Sequence, residues 1–126
     1  ELLNIDTCAI ETIEPDGFRG LHSLKFLQIG NNCIREIQLS TDLIFLEVIH
    51  MRTNCIRAIR NNTFNKLNLL MTLDLSNNRI NSIDDNAFNG LVNLQILILE
   101  NNTISSIRNK HFESLLSLKS LNLKTN

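Results

Sequence analysis

The 126-residue chain contains no tryptophan, no tyrosine, one proline and three cysteines. Three cysteines are too few for a disulfide framework, and none of them has the C-x-x-C spacing that is typical of zinc sites. No apolar run approaches the roughly 20 residues that cross a bilayer, so no membrane-inserted segment is predicted. No charged and apolar leader precedes the first repeated stretch, so we expect no targeting segment within these residues.

An excess of charge of one sign is also absent. The chain has 12 basic and 13 acidic side chains, a formal net charge of −1, and no run of lysine or arginine. We therefore expect neither a nucleic-acid partner nor direct binding to an anionic membrane, both of which depend on basic surfaces. Hydrophobic residues make up 43% of the chain and charged residues 20%, a balance that excludes disorder.

Leucine, isoleucine and asparagine recur at fixed intervals. The segment from Leu70 to Ile80 reads L-x-x-L-x-L-x-x-N-x-I, and the pattern recurs 24 residues before and 24 residues after it. With the first leucine as position 1, the patterned positions are 1, 4, 6, 9, 11, 14, 19 and 22. Copies begin at Leu24, Leu46, Leu70, Leu94 and Leu118, and residues 1–23 follow the same register. The copy at Leu24 is two residues shorter and has no phenylalanine at position 19, so we expect an irregular junction there.

Each patterned position predicts a structural role. Positions 4 and 6 alternate with polar residues, which indicates a short strand with one buried face. One such strand cannot bury its leucines alone, so successive copies are expected to stack into a parallel sheet over a continuous core. An asparagine at position 9 can donate and accept where the chain turns, which predicts a buried ladder. The ladder consists of Asn32, Asn54, Asn78, Asn102 and Asn126, and Cys8 is expected to be buried in that place in the first copy. The phenylalanines at position 19, expected to stack as a second spine, are Phe18, Phe64, Phe88 and Phe112.

The full pattern, including Ala87-Phe88-Asn89-Gly90-Leu91 at positions 18–22, resembles the typical 24-residue class of extracellular leucine-rich repeats. That class occurs in Toll-like receptor ectodomains, lamprey variable lymphocyte receptors and insect leucine-rich immune proteins. The resemblance implies an α/β fold, a right-handed solenoid with a parallel β-sheet on its concave face and short turns or 3₁₀ segments on its convex face. It also implies an extracellular setting, secreted or at the cell surface, in innate immune recognition or receptor signalling.

The domain organisation predicted from the pattern is a single array over residues 1–126. It contains about five repeats of 22–24 residues and is partial at both ends. Family members usually carry cysteine-rich caps, and none is found here. Because an uncapped solenoid end exposes its apolar interior, we expect the chain to be part of a longer array. The alternative is that a partner or another copy covers each end.

Positions 3, 5 and 7 are predicted to face solvent from the strands and to form the partner-binding surface. Adjacent copies place equivalent positions roughly 5 Å apart, which aligns an apolar strip at position 3 beside a polar strip at positions 5 and 7. Exposed apolar side chains on such a face are suited to anchor a protein partner. The alternative is an ordinary solvated sheet face. The predicted partner-binding residues are Phe26, Gln28, Val48, His50, Arg52, Thr72, Asp74, Ile96, Ile98 and Glu100.

Catalysis and metal binding are not predicted. His50 and Asp74 share position 5 in neighbouring copies, which favours a surface hydrogen-bonded pair, because an open strand face offers no enclosed site for a nucleophile. Glu100 and Lys124 share position 7 and predict a cross-strand ion pair that contributes little energy. The other two histidines fall on the far side of the repeat, so the register predicts no metal site. With no glycine-rich phosphate loop either, we predict no enzyme activity and no cofactor.

Two kinds of covalent modification are predicted. Cys33 and Cys55 occupy position 10 of successive copies, where stacking is expected to bring their Cα atoms within the about 4.4–6.8 Å that a disulfide requires. In an oxidising compartment this favours a bond with Cys8 left over; the alternative is two unpaired thiols. Sequons at Asn61 and Asn101 predict glycosylation in a secreted protein. A glycan on Asn101 would lie at the edge of the proposed binding face.

The function that follows is protein–protein recognition through the concave strand face. The partner would be a protein ligand or a partner subunit, and a homodimer or heterodimer is compatible with this prediction. The second hypothesis is a structural or adhesion module that dimerises or spaces chains at the cell surface or matrix. The third is an intracellular scaffold, which would have three free thiols and no glycans.

Overall fold

A computed structural model describes residues 1–126 and contains eight short strands and one short helix. The strands are β1 (Leu2–Asn4), β2 (Phe26–Gln28), β3 (Val48–His50), β4 (Ala58–Ile59), β5 (Thr72–Asp74), β6 (Ser82–Ile83), β7 (Ile96–Ile98) and β8 (Ser120–Asn122), and the helix is α1 (Asn109–Phe112). Six strands form one sheet in the order β1-β2-β3-β5-β7-β8, and β4 pairs with β6 in a second sheet. All pairings are parallel. The predicted leucine-rich repeat solenoid is therefore confirmed.

Each strand of the large sheet belongs to one coil of the solenoid. We number the coils 1 to 6, for residues 1–23, 24–45, 46–69, 70–93, 94–117 and 118–126. The residue at position 4 lies at the centre of each strand and pairs with its equivalent in the next coil. In coils 2 to 5 this residue is fully buried, and it joins a single core of 26 buried apolar residues. Stacking therefore buries the leucines that a lone three-residue strand would leave exposed.

The asparagine ladder at position 9 is also confirmed. The Oδ1 atom of Asn78 accepts the N–H of Ile56 in the preceding coil at 3.1 Å. Its Nδ2 atom donates to the carbonyls of Met51, Leu75 and Ser76 at 3.1, 3.0 and 3.2 Å. The other ladder residues make equivalent bonds, and they are Asn32, Asn54, Asn102 and Asn126. Each amide thus satisfies backbone groups of two coils where the chain leaves the strand.

Cys8, at the ladder position of coil 1, departs from the prediction because it is exposed rather than buried. Within residues 1–126, coil 1 has a neighbouring coil on one side only, so a side chain at this position is covered from that side alone. The thiol donates to the carbonyl of Asp6 at 3.3 Å, while the N–H of Cys8 still donates to Oδ1 of Asn32 at 3.0 Å.

A left-handed residue precedes every ladder position. The φ angle at position 8 lies between 51° and 59° in all six coils, at Thr7, Asn31, Thr53, Asn77, Asn101 and Thr125. This conformation turns the chain out of the strand, so that the next side chain points back into the interior. Asparagine tolerates it better than other non-glycine residues, and β-branched threonine tolerates it poorly.

On the side of the coil opposite the large sheet, short turns and α1 replace long helices, as predicted. The rings of Phe64, Phe88 and Phe112 stack there with centroids 6.2 and 6.0 Å apart, which confirms the phenylalanine spine in coils 3 to 5. Phe18 is buried but stands apart from this stack, because coil 2 has no phenylalanine at position 19. No helix in the structure has the length and apolar character needed to cross a membrane.

Coil 2 is irregular, as its shorter sequence predicts. The turn that covers residues 15–20, 61–66 and 85–90 in coils 1, 3 and 4 is shortened in coil 2 to residues 41–42, where the N–H of Leu43 donates to the carbonyl of Ser40 at 3.3 Å. Leu43 is fully buried and fills part of the interior of this coil. The shorter coil leaves a depression between the turns of coils 1 and 3.

Candidate partner-binding face

The predicted binding surface is the solvent side of the large sheet, here called the strand face. It consists of positions 3, 5 and 7 of the six coils. The predicted register is confirmed, because Phe26 pairs with Val48, and both Val48 and Ile96 pair with Thr72. The predicted residues at position 5 align in the same way, and they are Gln28, His50, Asp74 and Ile98. The eight predicted residues at positions 3 and 5 therefore lie on one side of the sheet, and Arg52 and Glu100 follow the ends of β3 and β7. Their binding of a partner stays a prediction.

The apolar strip at position 3 is exposed at several coils. Leu2, Phe26 and Ile96 are 60%, 40% and 39% exposed, and Val48 is half-buried. Thr72 interrupts the strip with a small, half-buried side chain. Because the solvent side of each strand has no layer packed on it, these side chains remain available for contact with another molecule.

The polar strip contains one carboxylate that the backbone holds in place. Asp74 is only 8% exposed, and its Oδ1 atom accepts the N–H of Ser76 at 2.9 Å. His50 is half-buried and pairs with Asp74 in register, but the predicted hydrogen bond between their side chains is absent, since the carboxylate turns towards its own strand end. Arg52 is exposed and forms no ion pair. Its guanidinium group is therefore free to bind a partner.

The predicted ion pair between Glu100 and Lys124 is also absent. The Oε2 atom of Glu100 instead accepts a hydrogen bond from Nδ2 of Asn122 at 2.8 Å. The short amide is held by its own strand and reaches the carboxylate, while the flexible lysine remains exposed. The carboxylate of Glu100 thus already accepts one hydrogen bond within the protein. It is therefore less available to a partner than its position in the repeat suggested.

A second set of exposed apolar side chains, which the repeat pattern did not predict, is here called the rim. Its residues, each at least 37% exposed, are Ile44, Phe45, Leu69, Met71, Val92 and Leu116. They lie just before the strands, at the last positions of one repeat or at position 2 of the next, and therefore border the apolar strip. The signal that could have revealed them is the recurrence of large apolar residues at positions where the pattern requires none.

The structure does not contain the disulfide predicted between Cys33 and Cys55, and all three cysteines are free thiols. Neighbouring coils hold equivalent residues roughly 4.8 Å apart with their side chains pointing the same way. A disulfide needs Cβ atoms about 3.5–4.5 Å apart and turned towards each other. Equivalent position in a stacked repeat is therefore not sufficient for a bond.

The two sequons differ in their surroundings. Asn61 is exposed, its Oδ1 atom accepts the N–H of Asn86 at 2.9 Å, and its Nδ2 atom donates no hydrogen bond. Asn101 is exposed with a left-handed backbone, and its Nδ2 atom donates to Oδ1 of Asn77 at 3.0 Å. Because a glycan is attached through Nδ2, Asn61 is the less hindered acceptor in the folded chain.

His111 lies away from the strand face, in α1, and is only 2% exposed. Its Nδ1 atom accepts the N–H of Arg108 at 3.3 Å, and its Nε2 atom lies 4.0 Å from Asp85. Burial and the positive charge of Arg108 lower the pKa of His111 below its usual 6.5, against an opposing effect of Asp85. This histidine is a buried structural residue. Nowhere does the structure gather three histidine, cysteine or acidic side chains in the arrangement of a metal site.

Comparison with known proteins supports the resemblance inferred from the repeats. The leucine-rich repeat family model matches residues 68–126. No curated protein matches the chain. Among solved structures, the TLR13–ssRNA13 complex matches at 31% identity with a TM-score of 0.83, over 93% of this chain and 16% of that one. The LRIM1/APL1C complex matches at 27% identity with a TM-score of 0.85, over 97% of this chain and 24% of that one.

A third match is the APL1 leucine-rich repeat domain, at 28% identity with a TM-score of 0.83, over 94% of this chain and 31% of that one. The chain therefore spans less than a third of the length of each of these three structures. The strand register, the asparagine ladder and these similarities agree with one another. The chain has the leucine-rich repeat fold and is similar to extracellular leucine-rich repeat proteins, without a match to one particular member.

Proposed function

We propose that this chain is a protein-recognition module that binds a protein ligand or partner subunit through its strand face. The observation that carries the proposal is the apolar strip of exposed Phe26, half-buried Val48 and exposed Ile96, aligned in register beside the unpaired guanidinium of Arg52. Large apolar and arginine side chains clustered on one surface are the groups that dominate protein–protein binding energy.

The setting we propose is extracellular, in innate immune recognition or receptor signalling. Similar folds occur in the LRIM1/APL1C complex and in the octameric complex of Latrophilin 3, Unc5D and FLRT2, whose TM-score is 0.84 at 24% identity. TLR13 was solved with single-stranded RNA. We favour a protein partner over RNA for this chain, because its net charge of −1 provides no general attraction for phosphates.

The test is capture of partners from secreted and cell-surface protein fractions, with the chain immobilised. We expect Phe26→Ser, Arg52→Ala and Ile96→Ser combined to abolish capture of the proteins that the natural chain retains, while circular dichroism shows an intact fold. A matched control combines Arg79→Ala with Ile107→Ser, which removes an exposed cation and an exposed apolar side chain elsewhere. Capture that survives the triple substitution would refute binding through the strand face.

The sequon at Asn101 gives an independent test of the same face. Asn101 follows β7 and is exposed at the edge of the strand face. A glycan there would restrict access, so Asn101→Gln should strengthen partner binding by a glycosylated chain. Unchanged affinity would reject a role for this glycan.

The rim favours a second candidate function, the assembly of chains by self-association. Phe45 and Leu116 are 46% and 80% exposed on the rim, at separate coils. If this function is correct, sedimentation should show a dimer of the chain alone, which Phe45→Asp with Leu116→Asp would convert to a monomer. A chain that is monomeric at high micromolar concentration would exclude it and leave recognition of a different protein.

A further inference from the structure

The depression at coil 2, here called the notch, is a cavity on the side opposite the strand face. It has a volume of about 810 Å³ and lies between the turns of coils 1 and 3. Its floor is the segment of residues 35–41, and its coil 3 wall includes Arg57, Ala58, Arg60 and Asn61. A volume of this size is within the range of about 300–1,000 Å³ that ligand sites occupy.

Backbone groups on the floor of the notch have no partners within the protein. None of the N–H groups of residues 35–41 donates a hydrogen bond, and none of the carbonyls of residues 35–39 accepts one. The preceding residue, Ile34, is still paired, since its carbonyl accepts the N–H of Cys55 at 2.9 Å. Coils 2 and 3 therefore separate immediately after this bond.

The coil 3 wall of the notch is the open edge of β4. The carbonyls of Arg57 and Ile59 accept the N–H groups of Asn81 and Asp84 in coil 4, at 3.0 and 2.9 Å. Peptide groups alternate in direction along a strand, so those of Ala58 point away from coil 4 and into the notch. No strand pairs with β4 on that side. An unpaired edge that offers both N–H and C=O groups is a template for the addition of another strand.

Arginine side chains give the notch its charge preference. Arg35, Arg57 and Arg60 line it, against the two acidic side chains Asp16 and Glu36. Arg35 is partly neutralised by Glu11 at 3.4 Å, whereas Arg57 and Arg60 form no ion pair. Carboxylates can therefore bind two free guanidinium groups. A small inorganic anion would meet unpaired carbonyls as well as N–H groups, while a peptide satisfies both.

We propose that the notch binds an extended, acidic peptide segment of a protein partner, added as a strand beside β4. The peptide backbone pairs with Ala58 on one side and with the floor segment on the other. Its acidic side chains bind Arg57 and Arg60. This site is separate from the strand face, so it does not depend on the function proposed above.

The sequon at Asn61 bears directly on this site, because Asn61 also lines the notch. A glycan attached there would occupy the space that the peptide needs. The proposed binding therefore belongs to chains that carry no glycan at Asn61, and the experiment uses the chain expressed without glycosylation.

The probe is an acetylated and amidated heptapeptide of alternating threonine and glutamate, titrated into isotope-labelled protein up to millimolar concentration. We expect saturable shifts in the backbone amide signals of residues 35–41 and Ala58. Arg57→Ala with Arg60→Ala should weaken binding at least about tenfold, which corresponds to about 1.4 kcal/mol. Arg79→Ala, which removes an exposed arginine outside the notch, should leave affinity unchanged.

Three further measurements distinguish strand addition from binding by charge alone. A heptapeptide with alternate backbone amides N-methylated should bind at least about tenfold more weakly, because it cannot pair with β4 on that edge. Ala58→Pro, which removes the N–H facing the notch, should have a similar effect. A sulfated tetrasaccharide should not compete. Absence of shifts, equal binding of the methylated peptide, or preferential binding of the tetrasaccharide would overturn the proposal.

Discussion

Removal of the ladder amide at Asn78 should destabilise the solenoid far more than removal of the same amide at Asn126. Both asparagines make four hydrogen bonds of similar length to two coils. They differ in burial, since Asn78 is 8% exposed and Asn126 is exposed. Comparison of Asn78→Ala with Asn126→Ala therefore isolates the effect of burial on one repeated interaction.

The expected magnitude follows from the groups that each substitution leaves without a partner. After Asn78→Ala, the carbonyls of Met51 and Leu75 keep bonds from other ladder asparagines. The N–H of Ile56 loses its only acceptor in a fully buried residue. A buried orphaned donor costs about 1–3 kcal/mol, and the two N–H groups of Nδ2, which three carbonyls share, contribute about 0.5–1.5 kcal/mol each. We expect Asn78→Ala to lower the free energy of unfolding by about 2–6 kcal/mol.

Asn126→Ala should cost under about 1 kcal/mol, because water replaces the amide at an exposed site. Urea unfolding followed by circular dichroism measures both values, with the slope against urea checked for a single transition. A domain of this size has a total stability of about 5–15 kcal/mol, so Asn78→Ala should be clearly less stable at 25 °C. Equal effects of the two substitutions, or a loss below about 1 kcal/mol for Asn78→Ala, would refute the reasoning.

Three further predictions concern backbone strain and titration. Gly90 has a φ of 91°, and a Cβ there would lie 2.6 Å from the carbonyl oxygen of Asn65, so Gly90→Ala should lower the free energy of unfolding by about 2 kcal/mol or more, measured in urea. Gly20→Ala, at a φ of 84° with open space around it, should cost only about 1 kcal/mol. Thr53→Asn replaces a β-branched residue at a φ of 56°. It should raise the free energy of unfolding by about 0.5–1 kcal/mol, which a higher thermal midpoint would show. Folding lowers the pKa of His111 below 6.5. The contribution of this histidine to stability is therefore complete above pH 6.5 and is lost as the pH falls towards the folded pKa. His111→Gln should reduce the loss of stability between about pH 7.5 and 5.5.

Each of these has a result that would contradict it. Equal losses for the two glycine substitutions would show that the contact with Asn65 is relieved by a backbone shift. A lower thermal midpoint for Thr53→Asn would indicate that the threonine makes an interaction that outweighs its strain. A natural chain whose stability is constant between about pH 7.5 and 5.5 would exclude any effect of His111 burial on stability.

The sequence by itself determined the coil, the register and the residues of the strand face. The repeat forces this result, because a strand with period-2 alternation can bury its leucines only by pairing in register with the next copy. The ladder follows from the same repetition, since an asparagine at a fixed position meets the same turning backbone in each coil. These predictions needed only the spacing of residues along the sequence and no distances between atoms.

The tertiary structure alone decided which neighbouring side chains bond to each other. His50 and Asp74 are neighbours as predicted, yet the carboxylate binds the N–H of Ser76 instead. Cys33 and Cys55 are equivalent but remain free thiols. Sequence position fixes which coils meet to within several ångströms, whereas hydrogen bonds and disulfides depend on tenths of an ångström and on direction.

The notch shows the same division. The sequence indicated an irregular coil, because residues 24–45 are two residues short and lack a phenylalanine at position 19. Only the structure showed that this coil has a shorter turn, that the N–H groups of residues 35–41 have no partners within the protein and that three arginines lie around them. A repeat pattern describes what its copies share. Where one copy departs from the pattern, the shape of the surface depends on how the neighbouring coils pack around that copy.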